Sequence, residues 1–106
     1  MRILFVCSKN KLRSPTAEAI FADYPGLEVI SAGLNADSET PLSPDLVAWA
    51  EKIFVMERVH KTKIQQRFGQ FVKNQRIICL DIADRYDFME AALIELLERK
   101  VPKHLP

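Results

Sequence analysis

The chain has 106 residues, a length that suits one domain built around a single modest core. It carries 15 Lys and Arg against 14 Asp and Glu, so its net charge of +1 excludes a bulk attraction to nucleic acid and a disordered acidic tail. The two cysteines, Cys7 and Cys79, lack paired spacing, so we expect neither a disulfide scaffold nor a zinc site.

The first residues and the hydropathy pattern bear on the location of the protein. The chain passes from Met1 directly into an apolar run without the layout of a signal peptide, and no apolar stretch approaches membrane-spanning length. Unpaired cysteines suit a reducing compartment. We therefore expect a cytoplasmic protein without membrane contact, in which residues 1–106 form one domain.

Segments typical of strands and helices alternate along the chain. In order they are a strand over Arg2–Val6, a helix opening at Ser14 or Pro15, a strand over Leu27–Ser31, a short helix starting at Ser43, a strand over Ile53–Met56, a helix over Val59–Phe71, a strand over Arg76–Leu80 and a helix over Glu90–Lys100. This alternation predicts an α/β fold with three layers, in which helices cover both faces of a parallel sheet.

The apolar spacing also predicts which helical residues face inward. In the helix over Val59–Phe71 the expected inward residues are Val59, Ile64, Phe68 and Phe71, and the last helix has a strong apolar pattern of Leu93, Ile94, Leu96 and Leu97. Two histidines, His60 and His104, stand alone in the sequence, and we expect both at the surface. Cys79 lies in an apolar strand, so we expect its thiol to be buried and inert.

The polar segment between the first strand and the first helix predicts an anion-binding loop. It runs Cys7-Ser8-Lys9-Asn10-Lys11-Leu12-Arg13-Ser14. In a strand–loop–helix arrangement the backbone N–H groups and the helix N-terminus face a bound anion. That field favours a thiolate at the start of the loop, and an arginine at its end can bind two phosphate oxygens at once.

The full run is more specific than its cysteine and arginine alone. It reads Phe5-Val6-Cys7-x-x-Asn10-x-x-Arg13-Ser14-Pro15-x-Ala17-Glu18-Ala19, and it closely resembles the signature of the low-molecular-weight protein tyrosine phosphatases. The resemblance implies a flavodoxin-like, phosphotyrosine phosphatase I-like fold with a four-stranded parallel sheet of order 2-1-3-4. It also implies hydrolysis of phosphate monoesters through a phosphocysteine intermediate, with no metal and no cofactor.

The same resemblance assigns roles to the loop. Cys7 is the expected nucleophile. The Arg13 side chain and the backbone amides of Ser8, Lys9, Asn10, Lys11, Leu12 and Arg13 are expected to bind the phosphoryl oxygens. Ser14 is placed to donate a hydrogen bond to the thiolate. Asn10 suits the left-handed backbone that such a loop commonly needs.

The general acid is less well defined by the sequence. In the resembling family it belongs to an Asp-Pro pair after the last strand, and this chain has no such pair. Asp81 fits by its position directly after the predicted fourth strand, whereas Asp84 fits by its neighbours, since Asp84-Arg85-Tyr86 resembles Asp-Pro-Tyr. Position favours Asp81, and Asp84 stays open as the alternative.

Other departures concern the pocket. Lys9 replaces a frequent glycine, and Leu12 replaces a frequent second cysteine. The segment between Gly33 and the third strand is shorter than the family usually has, so we expect a shallower pocket and do not assume phosphotyrosine as the substrate. Trp49 and Tyr86 are candidates to line what remains, although core packing is the commoner position for a helical Trp.

The expected partner is a phosphorylated protein or a small phosphomonoester. Residues Arg58 to Arg76 include six Lys or Arg and no Asp or Glu. This pattern fits a solvated helix face, or a docking surface for an acidic partner protein, a nucleic acid or a multiply phosphorylated ligand. Two other functions fit the loop: a phosphate-binding module without turnover, and a phosphocysteine carrier, which Arg13 disfavours.

Overall fold

The computed structural model describes residues 1–73 and 76–106. The strands are β1 (Arg2–Cys7), β2 (Glu28–Gly33), β3 (Lys52–Val55) and β4 (Ile77–Cys79), and the helices are α1 (Arg13–Phe21), α2 (Pro44–Trp49), α3 (Arg58–Phe68) and α4 (Ala91–Lys100). Two 3-10 turns, at Gly69–Phe71 and Pro102–His104, follow α3 and α4. In the described part of the chain no helix is long and apolar enough to cross a membrane.

The four strands form one parallel sheet in the order β2-β1-β3-β4, which confirms the predicted topology. β1 lies in the interior of the sheet, and its residues Ile3 to Val6 are fully buried. A parallel strand that is covered on both faces has a continuous apolar sequence, and this explains the unbroken run Ile3-Leu4-Phe5-Val6.

Successive residues of β1 and β3 point to opposite faces and therefore enter two different cores. Leu4 and Ile53 belong to a cluster with α2, α3 and the following turn, whereas Phe5 and Phe54 belong to a cluster with α1 and α4. Burial of each such side chain contributes roughly 1.5–3 kcal/mol to folding. Helices thus cover both faces of the sheet, and the expected three-layer architecture is confirmed.

The third helix differs from its prediction. It ends at Phe68, and Val59 and Phe71, which were predicted to face inward, are 50% and 40% exposed. The inward positions are His60, Ile64 and Phe68, whose spacing of four residues keeps them on one helical face. Val59 lies one residue outside this row, and the helix ends before Phe71 could join it.

The sheet places three loops at one edge. Because all strands are parallel, the segments after β1, β3 and β4 leave the sheet on the same side. These segments contain the loop from Cys7 to Ser14, the start of α3 at Glu57, and the acidic segment 81–87. Ligands of open α/β sheets bind at this edge, so the fold positions the candidate site there.

Candidate active site

The loop after β1 uses its first carbonyl groups in hydrogen bonds and leaves a row of N–H groups without an acceptor among the described residues. The carbonyl groups of Cys7 and Ser8 accept hydrogen bonds from Leu34 and Asn35, which fixes them on the side facing the loop after β2. In contrast, the five consecutive N–H groups from Ser8 to Leu12 donate to no other residue that the structure describes. A row of unused amides before a helix N-terminus is the type of arrangement that binds anions.

Two local features give the loop its shape. Asn10 has φ 56°, a left-handed conformation that asparagine tolerates better than most residues, as predicted. Gly33 lies against the loop at the end of β2, where a Cβ atom would come within 2.1 Å of Ser38 Oγ and 2.9 Å of the Asn10 backbone nitrogen. The close approach of Asn10 and Ser38 therefore requires glycine at this position.

Replacing Gly33 with alanine is expected to destabilise the protein by about 1–3 kcal/mol, because Ser38 or the loop at Asn10 must move to admit the methyl group. Urea unfolding measures the change. Gly69→Ala is the matched control, since a Cβ atom there meets nothing within 4 Å and φ is helical. Equal free energies of unfolding for Gly33→Ala and the wild type would contradict the proposed fit.

Cys7 is at the end of β1, and its thiol contacts a hydroxyl group. Cys7 Sγ lies 2.9 Å from Ser14 Oγ, and both residues are buried. Ser14 Oγ donates a hydrogen bond to Asn10 Oδ1 at 3.0 Å, so the neutral Cys7 thiol is the donor to Ser14. An ionised sulfur would draw the single hydroxyl proton of Ser14 away from Asn10, because a charge-assisted hydrogen bond is stronger than one to an amide oxygen. The predicted partner of the thiolate is therefore within reach.

Arg13 is buried, and one end of its guanidinium is fixed by the protein. Nη1 donates to Glu57 Oε2 and to the Ile82 carbonyl oxygen, both at 2.7 Å. Nε lies 3.7 Å from Asp84 Oδ1 in a longer ion pair. Nη1 has thus used both of its protons, whereas Nε and Nη2 keep three N–H groups for an external acceptor. This edge of the guanidinium is suited to bidentate binding of a phosphoryl group.

The two candidate acids occupy different places. Asp84 lines the same cavity as Cys7 and Arg13. Asp81 lies in a separate depression with Lys100 and His104, has φ 53°, and its carboxylate accepts a hydrogen bond from the Cys79 thiol at 3.4 Å. The structure therefore brings Asp84 to the predicted nucleophile and does not bring Asp81 there.

Cys79, predicted to be buried, is only half-buried on β4. Partial burial, the largest effect, raises the pKa of its thiol above the usual value, so the neutral form dominates. Cys7 and Cys79 are both free thiols.

The segment that carries Asp84 is hydrogen-bonded, through Thr16, to the end of the loop from Cys7 to Ser14. Thr16 Oγ1 donates to the Leu12 carbonyl oxygen at 2.6 Å and accepts from the Met89 N–H at 2.9 Å. Met89 has φ 60°, a strained conformation for a residue with a side chain, and this hydrogen bond fixes it. The contact of Arg13 with the Ile82 carbonyl oxygen anchors the other end of the same segment.

Two residues of the site were not identified from the sequence. Glu57 pairs with Arg13, and His60, which was expected at the surface, is buried beside them with 1% exposure. Glu57 and His60 form a reciprocal capping box at the start of α3. The spacing Glu57-x-x-His60 directly after an apolar strand was the available signal, although the usual box has Ser or Thr first and Glu or Gln last.

The cavity above Cys7 has a volume of about 200 Å³. Its lining in the described residues is Cys7, Ser8, Lys9, Lys11, Leu12, Arg13 and Asp84. The other two predicted loop residues, Asn10 and Ser14, are buried next to it. Trp49 and Tyr86 instead pack against the two hydrophobic clusters, so neither lines this cavity.

Sequence and structure comparisons agree on the relatives of this chain. The sequence model described as low molecular weight phosphotyrosine protein phosphatase matches residues 2–53. The probable low molecular weight protein-tyrosine-phosphatase EpsP of Ralstonia nicotianae is 33% identical, over 91% of this chain and 86% of that protein.

Among solved structures, the YwlE arginine phosphatase from Geobacillus stearothermophilus superposes with a TM-score of 0.79 and 28% identity, over 98% of this chain and 92% of that one. A cysteine-to-serine mutant of YwlE arginine phosphatase, solved with its active-site serine phosphorylated, gives a TM-score of 0.75 and 26% identity, over 99% and 95% of the two chains.

Proposed function

The chain belongs to the low molecular weight phosphotyrosine protein phosphatase family, whose members are cysteine-dependent phosphatases, and we propose that it hydrolyses phosphate monoesters on protein side chains at the cavity above Cys7. The observation that carries the proposal is the convergence on one cavity of a buried cysteine, a buried arginine with a free edge and an exposed aspartate. We propose further that residues 1–106 act as one phosphatase domain.

The first chemical step is attack of Cys7 Sγ on phosphorus. The sulfur–phosphorus bond forms as the bond from phosphorus to the leaving oxygen breaks. Asp84, which takes up a proton when the phosphoryl dianion replaces it as the partner of Arg13, gives that proton to the leaving oxygen. The amides from Ser8 to Leu12 and the free edge of Arg13 bind the three equatorial oxygens as charge shifts toward the leaving group. These groups supply the positive charge, so we expect turnover without a metal ion.

The second step returns the enzyme to its starting state. Asp84, now a carboxylate, takes a proton from a water molecule that attacks phosphorus, and the sulfur leaves as a thiolate. Ser14 Oγ, 2.9 Å from the sulfur, stabilises that thiolate by turning its one proton from Asn10 Oδ1 to the sulfur. One phosphomonoester and one water are consumed, and one alcohol and one inorganic phosphate are released.

The charge of the cavity favours one substrate class over another. The relatives act on phosphotyrosine or phosphoarginine by name. Among residues 1–73 and 76–106, Lys9, Lys11 and Arg13 line the cavity, and Asp84 is the one carboxylate in that lining. A cationic rim repels the guanidinium of phosphoarginine and tolerates a neutral phenol. We therefore propose a phosphate ester as the substrate.

The partner and the location are part of the same proposal. The first residue of α3, Arg58, is exposed and follows Glu57, which contacts Arg13, so the basic stretch 58–76 begins beside the cavity. Positions 74 and 75 of that stretch lie outside the described residues. An acidic phosphoprotein suits this surface. The two free thiols support a cytoplasmic location.

A rapid-quench time course tests the function. The purified protein with p-nitrophenyl phosphate and excess EDTA is expected to show a burst of nitrophenol near one equivalent, followed by steady release of inorganic phosphate. Phosphoarginine in a parallel reaction is expected to be a poorer substrate. Phosphate binding without turnover would instead indicate a binding module, a stable phosphocysteine without release would indicate a carrier, and a preference for phosphoarginine would overturn the substrate class.

A further inference from the structure

Ser8 has a hydrogen-bond partner that the mechanism above does not use. Its hydroxyl oxygen lies 3.0 Å from His60 Nε2, although the two residues are 52 positions apart in sequence. His60 is almost completely buried at the start of α3, and Ser8 is half-buried and lines the cavity next to Cys7. The contact therefore joins a buried imidazole to the wall of the proposed phosphoryl site.

The geometry determines the protonation of His60. The backbone N–H of Glu57 donates to His60 Nδ1 at 3.1 Å, and since an amide N–H can only donate, Nδ1 has no proton. A neutral imidazole then has its proton on Nε2, which donates to Ser8 Oγ. Burial, followed by the charge of Arg13, lowers the pKa of His60 to about 4, which agrees with a neutral ring at pH 7.

This assignment determines where the Ser8 proton can go. Ser8 Oγ accepts from His60, so its own O–H must donate in another direction. In residues 1–73 and 76–106 no second partner of Ser8 Oγ is present. The accessible direction is the cavity that Ser8 shares with Cys7 and Arg13. A hydroxyl aimed there has the polarity needed for a phosphoryl oxygen, as the loop amides have.

We propose that the Ser8 hydroxyl is a direct side-chain ligand of the bound phosphoryl group, donating to one nonbridging oxygen, and that His60 is the positioning residue that orients it. This inference rests on the proposed function, since it takes the cavity above Cys7 as the phosphoryl site. His60 acts through Ser8: its Nε2–H occupies a lone pair of the hydroxyl oxygen, so the hydroxyl proton turns toward the anion.

Direct binding of inorganic phosphate tests the proposal without requiring turnover. By titration calorimetry at pH 7, Ser8→Ala is expected to bind phosphate about tenfold more weakly than the wild type, since one hydrogen bond to a charged group is lost. Ser8→Thr keeps the hydroxyl and is expected to restore most of the affinity. Ser43→Ala removes the same atom from the cap of α2, away from the cavity, and is the matched control.

The role of His60 has its own measurement. His60→Asn is expected to weaken phosphate binding as much as Ser8→Ala does. The double variant is expected to bind no more weakly than either single variant, because both changes remove the same hydrogen bond between Ser8 and phosphate. Additive losses, or Ser8→Ala within twofold of the wild type, would overturn the proposal. If His60→Asn does not fold, nitrogen NMR of the wild-type protein tests the role of His60 instead. An imidazole with its proton on Nε2 supports the proposal, and a proton on Nδ1 or a charged imidazolium refutes it.

The calorimetric result separates this inference from the function on which it rests. Phosphate binding that depends on Ser8, in a protein without phosphatase turnover, would support the ligand role and refute the proposed function. Turnover with phosphate binding that is independent of Ser8 would refute the ligand role and leave the proposed function standing.

Discussion

Replacing Cys7 with serine is expected to lower the turnover of p-nitrophenyl phosphate by on the order of 10⁴-fold or more. A serine hydroxyl remains protonated at pH 7, so it is a weak nucleophile, and an oxygen bound to phosphorus is a poor leaving group in the second step. The exchange of sulfur for oxygen changes little volume, so the fold and phosphate binding are expected to persist. Steady-state kinetics and circular dichroism measure these two quantities.

The variant also offers a positive signal. The serine of this variant keeps a nucleophilic oxygen in the cavity that also contains Arg13. Prolonged incubation of Cys7→Ser with substrate is therefore expected to add one phosphoryl group by intact mass. Cys79→Ser is the control, since Cys79 lies outside the cavity, and its activity is expected within twofold of the wild type. If Cys7→Ser turned over substrate at the wild-type rate, Cys7 could not be the nucleophile.

Replacing Asp84 with asparagine is expected to lower kcat by about 10²-fold, the usual contribution of a positioned general acid. Asparagine cannot deliver a proton to the leaving oxygen, although it preserves the shape of the side chain. The loss is expected to be greater for phenyl phosphate than for p-nitrophenyl phosphate, because a nitrophenolate leaves with little help from an acid. Parallel kinetics with the two esters measure this difference.

Asp81→Asn is the matched comparison for Asp84→Asn. Asn tolerates the left-handed backbone of position 81, where φ is 53°, and the carboxylate of Asp81 contacts Cys79 and lies outside the cavity. We expect kcat of Asp81→Asn within twofold of the wild type. A large loss of kcat in Asp81→Asn, with a small loss in Asp84→Asn, would identify Asp81 as the general acid, as its position in the sequence favoured.

The Arg13 contacts explain why the guanidinium can act as a ligand and remain buried. Burying an unpaired charge destabilises a protein, but hydrogen bonds from the Arg13 guanidinium to Glu57 and to the Ile82 carbonyl oxygen offset that free energy. The same bonds already order the arginine in the free protein. A phosphoryl group bound in the proposed way would meet a fixed edge of donors, which is the arrangement that electrostatic stabilisation of a transition state requires.

The sequence by itself determined the features that depend on contiguous residues. The succession of strands and helices along the chain follows from apolar spacing. Cys7, Arg13 and Ser14 lie within one short segment, whose backbone brings them together. The left-handed Asn10 belongs to the same group, since its conformation is a property of that loop. A local segment carries its own geometry, so an anion-binding role could be proposed for this loop before any tertiary contact was known.

The tertiary structure decided the features that depend on distant residues. Arg13 meets Glu57 and Ile82 across 44 and 69 positions, and Ser8 meets His60 across 52. Asp84 reaches the cavity and Asp81 does not, because the chain turns at Asp81 and is anchored again at Ile82 and Met89. No local spacing encodes such contacts: they exist only once parallel strands bring the ends of separate loops to one edge of the sheet.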